Sequence, residues 1–248
     1  MKNSKIFLDN DKHYAHLKKS YNKVGSKTWS NSDFIDSSLN ASRNLFTEKS
    51  LELGIPAPKK LEVYALLSGL PFSEKIINKL VSIQRDIDKV LDGELRYWVL
   101  PLNFGVEHCV FKWPDENWKD ESRILSINKT LSMLDYPSFQ FSIHGIQINP
   151  DGCIIAKGYD EGGMIFRIRE HLKTNLEFLP KKQSGWAHIP LGRILEPLGQ
   201  SKFLALESLI NQFSDITIVS DRINSIKFVH ETCWYMEEKT ILSEFRLS

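Results

Sequence analysis

Apolar positions recur along this chain with two different periods. Residues 61–70 form a nearly continuous apolar run closed by Gly69-Leu70-Pro71, the pattern of a buried strand. Behind Ser73, a residue type that favours helix starts, Ile76, Leu80, Ile83, Ile87 and Leu91 keep the 3.6-residue period of an amphipathic helix, and Asp92-Gly93 ends it. Residues 96–102 and 105–113 read as strands, 114–120 as a polar loop, and 121–134 as a helix with Ile124, Ile127, Leu131 and Leu134 in register. Residues 139–149 alternate as a strand, Pro150-Asp151-Gly152 is a turn, and 153–158 supplies the hairpin partner. A helix over 162–179 carries Ile165, Ile168, Leu172 and Leu176; a strand follows within 185–195, and Ser201 starts a helix with Phe203, Leu206, Leu209, Ile210 and Phe213 on one face. Strands over 216–219 and 223–231 and a hairpin through Glu237-Glu238-Lys239 into 240–247 complete the chain.

Strands joined by short turns as often as by helices predict an α+β fold with mainly antiparallel sheets. The strands at 105–113 and 185–195 each follow a helix and each carry a histidine. The expectation is therefore two pseudo-symmetric lobes, helices packed outside, and a central cleft with one His per lobe. Residues 1–59 have a different texture, rich in Ser, Asn, Lys and Asp. Phe34, Ile35, Leu39, Leu45, Phe46 and Leu51 fit one face of a helix between Asn31 and Gly54, and 55–60 reads as a linker. This part is read as an N-terminal appendage, partly helical, that packs on or caps a domain over 60–248. His13 and His16, three apart without a third ligand, read as a solvated helix face.

Composition adds exclusions. With 248 residues, 42% hydrophobic and 25% charged, the chain is long enough to bury a core and ordinary for a globular protein. Lys+Arg 32 against Asp+Glu 31 leaves a formal charge of +1, so any anion site must be local. Three cysteines without Cys-x-x-Cys spacing argue against a disulfide framework and for a reducing compartment. No signal-peptide pattern and no apolar run of about 20 residues is present, and the expected location is cytoplasmic, without a membrane partner. Gly-x-Ser-x-Gly, Walker and Gly-x-Gly-x-x-Gly patterns are all missing, which removes the usual signals of serine hydrolases, nucleoside triphosphatases and dinucleotide enzymes.

Candidate chemistry centres on His108 and His188. Strand alternation puts residues 108 and 110, and likewise 188 and 190, on one face, so each histidine and its second neighbour would line a common cleft. Lys112 shares the face of His108 on a regular strand, whereas Arg193 reaches the cleft only if Gly192 marks a bulge. Trp113 and Trp186 flank the two motifs, either to stack on a base or to be buried. His144 reads as a satisfied histidine, and the helix around Arg167 and Arg169 as a solvated basic face, with contact to an RNA backbone as the sharper alternative. His230 and Cys233, three apart on a strand, face opposite sides and cannot easily share zinc.

The tetrads His108-Cys109-Val110-Phe111 and His188-Ile189-Pro190-Leu191, with the order of elements from Leu61 to Leu247, resemble the 2H phosphoesterase superfamily. That group includes the bacterial 2′-5′ RNA ligase-like cyclic phosphodiesterases. Its members carry two His-x-Thr/Ser-x motifs; the resemblance sets His108 and His188 at the histidines, and Val110 and Pro190 where the phosphate-binding hydroxyls belong. It implies a phosphodiesterase that needs neither metal nor cofactor, acting on a 2′,3′-cyclic or 2′-5′-linked nucleotide or RNA end. His108 and His188 would be general acid and base, with Lys112, Trp186, Arg193, Val110 and Pro190 around the substrate. Val110 and Pro190 have no side-chain donor. The alternative is therefore a catalytically inactive module of the same fold that binds a nucleotide, RNA or protein partner.

Overall fold

The alternating runs pair into two antiparallel sheets in the computed structural model, which describes residues 10–118, 121–214 and 216–248. The first sheet has the order β3–β1–β8–β9, from Gly105–Lys112 (β3), Lys60–Gly69 (β1), Ser225–Cys233 (β8) and Glu238–Arg246 (β9). The second has the order β2–β6–β5–β4–β7, from Arg96–Trp98 (β2), Ile189–Ile194 (β6), Cys153–Asp160 (β5), Phe139–Ile148 (β4) and Thr217–Ile223 (β7). The expected strand over 96–102 is cut short, because Pro101 begins a 3-10 turn at Pro101–Asn103.

Helices cover the outer faces, and two of them do so by crossing between lobes. The helix Glu74–Val90 (α4) leaves β1 of the first sheet but packs on β7 of the second, beside Gln200–Asn211 (α7). Conversely, Met164–Asn175 (α6) leaves β5 of the second sheet and packs on β3 of the first, while Glu121–Ser132 (α5) packs on β9. The α4 stripe is buried as the period demands: Ile76, Leu80, Ile83, Ile87 and Leu91 are each at most 2% exposed. Each contributes roughly 1.5–3 kcal/mol of burial before conformational entropy is subtracted, so a charge at Leu80 would break this packing. Ser73 precedes the helix, but its hydroxyl bonds the Asp221 carboxylate instead of capping a backbone N–H.

The appendage departs most from expectation. Its first helix, Asn10–Thr28 (α1), is a polar stretch in which only His13, Leu17, Tyr21, Gly25 and Thr28 are buried. That narrow stripe lies on the β4–β5 hairpin, where Leu17 and Tyr21 pack with Cys153, Ile155 and Tyr159. Gly25 permits the approach, since a Cβ there would sit 2.7 Å from Gln147. His13 is no solvated residue: its Nε2 lies 2.8 Å from the buried Asp160 Oδ1. The single helix expected between Asn31 and Gly54 is two short ones, Asp36–Arg43 (α2) and Glu48–Glu52 (α3). They break where Phe46 bridges to Pro58 and buries its ring. Residues 119 and 120 of the expected 114–120 loop, and residues 1–9 of the appendage, lie outside the described residues.

Candidate functional site

A cleft of about 390 Å³ opens between the sheets, and β-bulges decide which side chains reach it. Leu67 of β1 pairs with Glu107 of β3 and Leu66 with Cys109, so one step on β1 spans two on β3. The extra residue is His108. Glu107 therefore shares the face of Leu67 and lines the cleft, while His108 turns away beside Ser68.

His108 is fully buried. Ser68 Oγ lies 2.9 Å from His108 Nε2 and donates its one proton to Ser225 O at 3.0 Å, so Nε2–H is the donor in the His–Ser contact. Nδ1 is buried without a partner. Burial, helped by the charge of Arg169, pushes the His108 pKa down to about 3. It is a neutral core histidine, and the expectation of one His per lobe in the cleft fails for the first lobe.

In the second lobe three of the candidate residues line the cleft. Ile155 pairs with Pro190 and Ile154 with Gly192, so Leu191 is the extra residue, and Pro190 and Arg193 both face the cleft. His188 sits one residue before β6 and also lines it. Burial first, then the charges of Arg193 and Arg169, push its pKa down to about 4, so it is neutral at physiological pH. Arg193 is held by three donated bonds, from Nε to Tyr235 Oη at 2.6 Å and from Nη1 to Asp151 Oδ2 and Ser42 Oγ, both at 2.8 Å.

Other expected residues lie elsewhere. A second bulge on β3, at Phe111, puts Lys112 opposite Tyr64 on the outer face, where it is buried, ion-pairs with Glu62 and sits over the Tyr64 and Trp118 rings. Trp186 backs the site without lining it: its ring packs on Tyr21 at 5.0 Å and edge-on to His188 at 5.7 Å, and its Nε1 donates to Ser20 Oγ at 2.7 Å. Trp113 does line the cleft, and its Nε1 donates to Lys182 O at 3.0 Å. Val110 lies in the apolar cluster with Val63, Ala65 and Leu67, and its backbone N–H and C=O are both bonded by the Gln183 side chain, at 2.9 and 2.8 Å.

Sequence reasoning missed the carboxyl groups. Glu107 and Glu231 both line the cleft. Burial raises the Glu107 pKa against the pull of Arg169, and its Oε1 is buried without a hydrogen-bond partner. Burial also pushes Glu231 up to about 7, with the Glu107 charge adding to the rise and the Met236 N–H, 2.9 Å from Oε1, and Lys239 drawing it back. That N–H comes from a turn at Trp234–Met236 in which Tyr235 and Met236 both have left-handed φ, 63° and 59°. Two such residues without glycine store strain beside the cleft. The available signal was a glutamate inside each of two otherwise apolar strand runs, Gly105-Val106-Glu107 and Phe228-Val229-His230-Glu231.

Arg169 also corrects its expectation. It is 3% exposed and donates to His108 O at 2.6 Å, Glu107 O at 3.3 Å and Ser184 O, tying β3 to the segment that carries His188. Among the described residues no group of three or more His, Cys, Asp or Glu is placed to hold a metal ion. No helix among them is long and apolar enough to cross a membrane.

No protein-family model and no curated protein matches this sequence. Solved structures match the fold. TT0787 of Thermus thermophilus is similar over 75% of this chain and 97% of its own, at 14% identity and a TM-score of 0.55. LigT of E. coli in its apo form matches over 77% and 99%, at 10% identity and 0.52, and a protein described as a phosphoesterase over 76% and 99%, at 12% identity and 0.51. The two antiparallel sheets with outer helices thus give this chain the two-lobed α+β fold that it shares with TT0787 and E. coli LigT.

Proposed function

We propose that the cleft hydrolyses a phosphodiester of the nucleotide class, a 2′,3′-cyclic or 2′-5′-linked end, with His188 as the base that takes a proton from the attacking water. The observation that carries this reading is the convergence of His188 and a pre-oriented Arg193 on one cleft between the two sheets. A desolvated neutral imidazole is free to accept a proton, and Arg193 is placed to offset phosphate charge. E. coli LigT has been crystallised with ATP, with 3′-AMP and with NADP+, which favours a nucleotide as the ligand class.

A second reading has its own support. Val110 and Pro190 supply no hydroxyl to a phosphate, and His108 is turned out of the cleft. These favour a module that binds the same ligands without turning them over. The test is hydrolysis of 2′,3′-cyclic nucleotides and 2′-5′-linked dinucleotides, without added metal, by the wild type and His188→Ala. The enzyme reading expects turnover that falls by roughly 10²-fold or more on losing the base. Binding of 3′-AMP with no turnover of either substrate class would establish the binding module instead.

A further inference from the structure

We propose that Glu107, supported by Glu231, protonates the leaving oxygen opposite His188, in the place that the motif order assigns to His108. This rests on the phosphodiesterase reading and names the missing acid of that site. Three features of the geometry point to it. The first β3 bulge exchanges the inward position of His108 for Glu107. Glu231 reaches the same cleft from β8, two strands away across β1. Glu107 Oε1 is buried with no hydrogen-bond partner, an arrangement that costs stability unless a ligand or a proton uses it.

The charges around the pair keep a proton available. Arg169 from α6 faces Glu107; Lys239 from β9 and the Met236 N–H face Glu231; His188 and Arg193 line the opposite wall, and Lys182 lines the cleft beside Trp113. Ionising one carboxyl raises the other, so the pair holds a proton near neutrality while His188 is neutral. Environments that push two titratable groups in opposite directions produce an acid and a base in one site.

The step balances without a further reactant. Water attacks phosphorus and forms the new P–O bond while its proton passes to His188. The P–O bond to the ribose oxygen breaks, and that oxygen takes the proton of Glu107. The product is a phosphomonoester, and solvent returns the proton from imidazolium to carboxylate. Glu231 does not touch the leaving group; it is a positioning residue that sets when Glu107 is protonated.

The test compares two leaving groups. Wild type, Glu107→Gln and Glu107→Asp are assayed on a nucleoside 2′,3′-cyclic phosphate, whose alkoxide needs a proton, and on a nucleoside p-nitrophenyl phosphodiester, whose phenolate does not. Glu107→Gln is expected to lose roughly 10²–10³-fold in kcat on the first ester and less than about tenfold on the second. The alkaline limb of its pH–rate profile should also disappear. Glu107→Asp retains the acid and should show a shorter-reach defect confined to the cyclic ester, which keeps the test valid if the Gln variant folds poorly. Equal losses on both esters would overturn the proposal and leave Glu107 as a structural residue. A wild type silent on both esters would overturn the phosphodiesterase reading itself, and the proposal with it.

Discussion

Glu231→Gln should make the protein more stable at alkaline pH and leave it nearly unchanged at acid pH. The carboxyl is 5% exposed, and its pKa rises from an ordinary 4.5 to about 7 on folding, chiefly through burial. Below pH 4.5 both folded and unfolded chains hold the proton, and the group costs nothing extra. Between 4.5 and 7 the unfolded carboxyl ionises while the folded one does not, so wild-type stability is lost as pH rises through this window. The accumulated difference by pH 8 is about 3 kcal/mol. Glutamine accepts the same Met236 N–H bond without ever ionising.

His188 and His108 act with the opposite sign. Their folded pKa values, about 4 and about 3, lie below the ordinary 6.5, so the stability they contribute is present above 6.5 and lost as pH falls through the folded values. Both histidines are present in wild type and variant, and subtracting the two stability curves removes them. The assay is urea unfolding of both proteins at about pH 4.5 and about pH 8, with slopes compared to establish that the unfolded states match. A difference in stability that is the same at the two pH values would refute the account of Glu231 as a buried, proton-holding carboxyl. So would a variant that becomes relatively less stable at the alkaline pH.

Two further perturbations probe the walls of the cleft. Tyr21 Oη donates to Gly158 O and accepts from the Ala187 N–H, both at 3.2 Å, next to His188; Tyr21→Phe should cost about 1–3 kcal/mol by urea unfolding and lower kcat, and no change in either would show that α1 merely rests on the domain. Ser68→Ala removes the acceptor of the His108 Nε2–H; it should cost about 1–3 kcal/mol in the same assay while kcat per folded molecule stays at the wild-type value, because His108 lies outside the cleft.

Periodic features were legible in the sequence and register was not. The α4 stripe from Ile76 to Leu91, the hairpin around Pro150-Asp151-Gly152 and the three closing strands follow from periodicity and turn residues, which are local. Arg193 was expected in the cleft only on condition of a bulge at Gly192, and the extra residue is Leu191 beside it. The two bulges on β3, at His108 and Phe111, have no turn residue to announce them. The first brings Glu107 inward in place of His108 and leaves Val110 in the buried apolar cluster with Val63, Ala65 and Leu67; the second sends Lys112 outside. The buried face of α1 escaped notice because its positions are a histidine, a leucine, a tyrosine, a glycine and a threonine, a stripe with almost no apolar contrast. Arg169 looked like part of a solvated face because its partners are backbone carbonyls, which no side-chain pattern reveals.

The register shift at His108 also decides where positions 109 and 110 face. With Glu107 inward, the residue two positions on is Cys109, which the bulge turns to the opposite face among Leu66, Phe111 and Phe228. A serine or threonine placed at position 110 would therefore stand two residues from a histidine that faces away from the cleft. Its hydroxyl would replace a methyl in the packed cluster with Val63 and Ala65, without the histidine beside it. On the phosphodiesterase reading proposed above, phosphate contacts come from the other wall, and that wall is held by the appendage. Ser42 of α2 bonds both Asp151 O and Arg193, Tyr21 of α1 bonds Ala187, and Ser20 bonds Trp186 behind His188. The two carboxyl groups of the cleft thus stand on strands of the first sheet, whereas the orientation of His188 and Arg193 depends on residues 10–59. A chain cut at residue 60 would keep Glu107 and Glu231 and lose the contacts that orient His188 and Arg193.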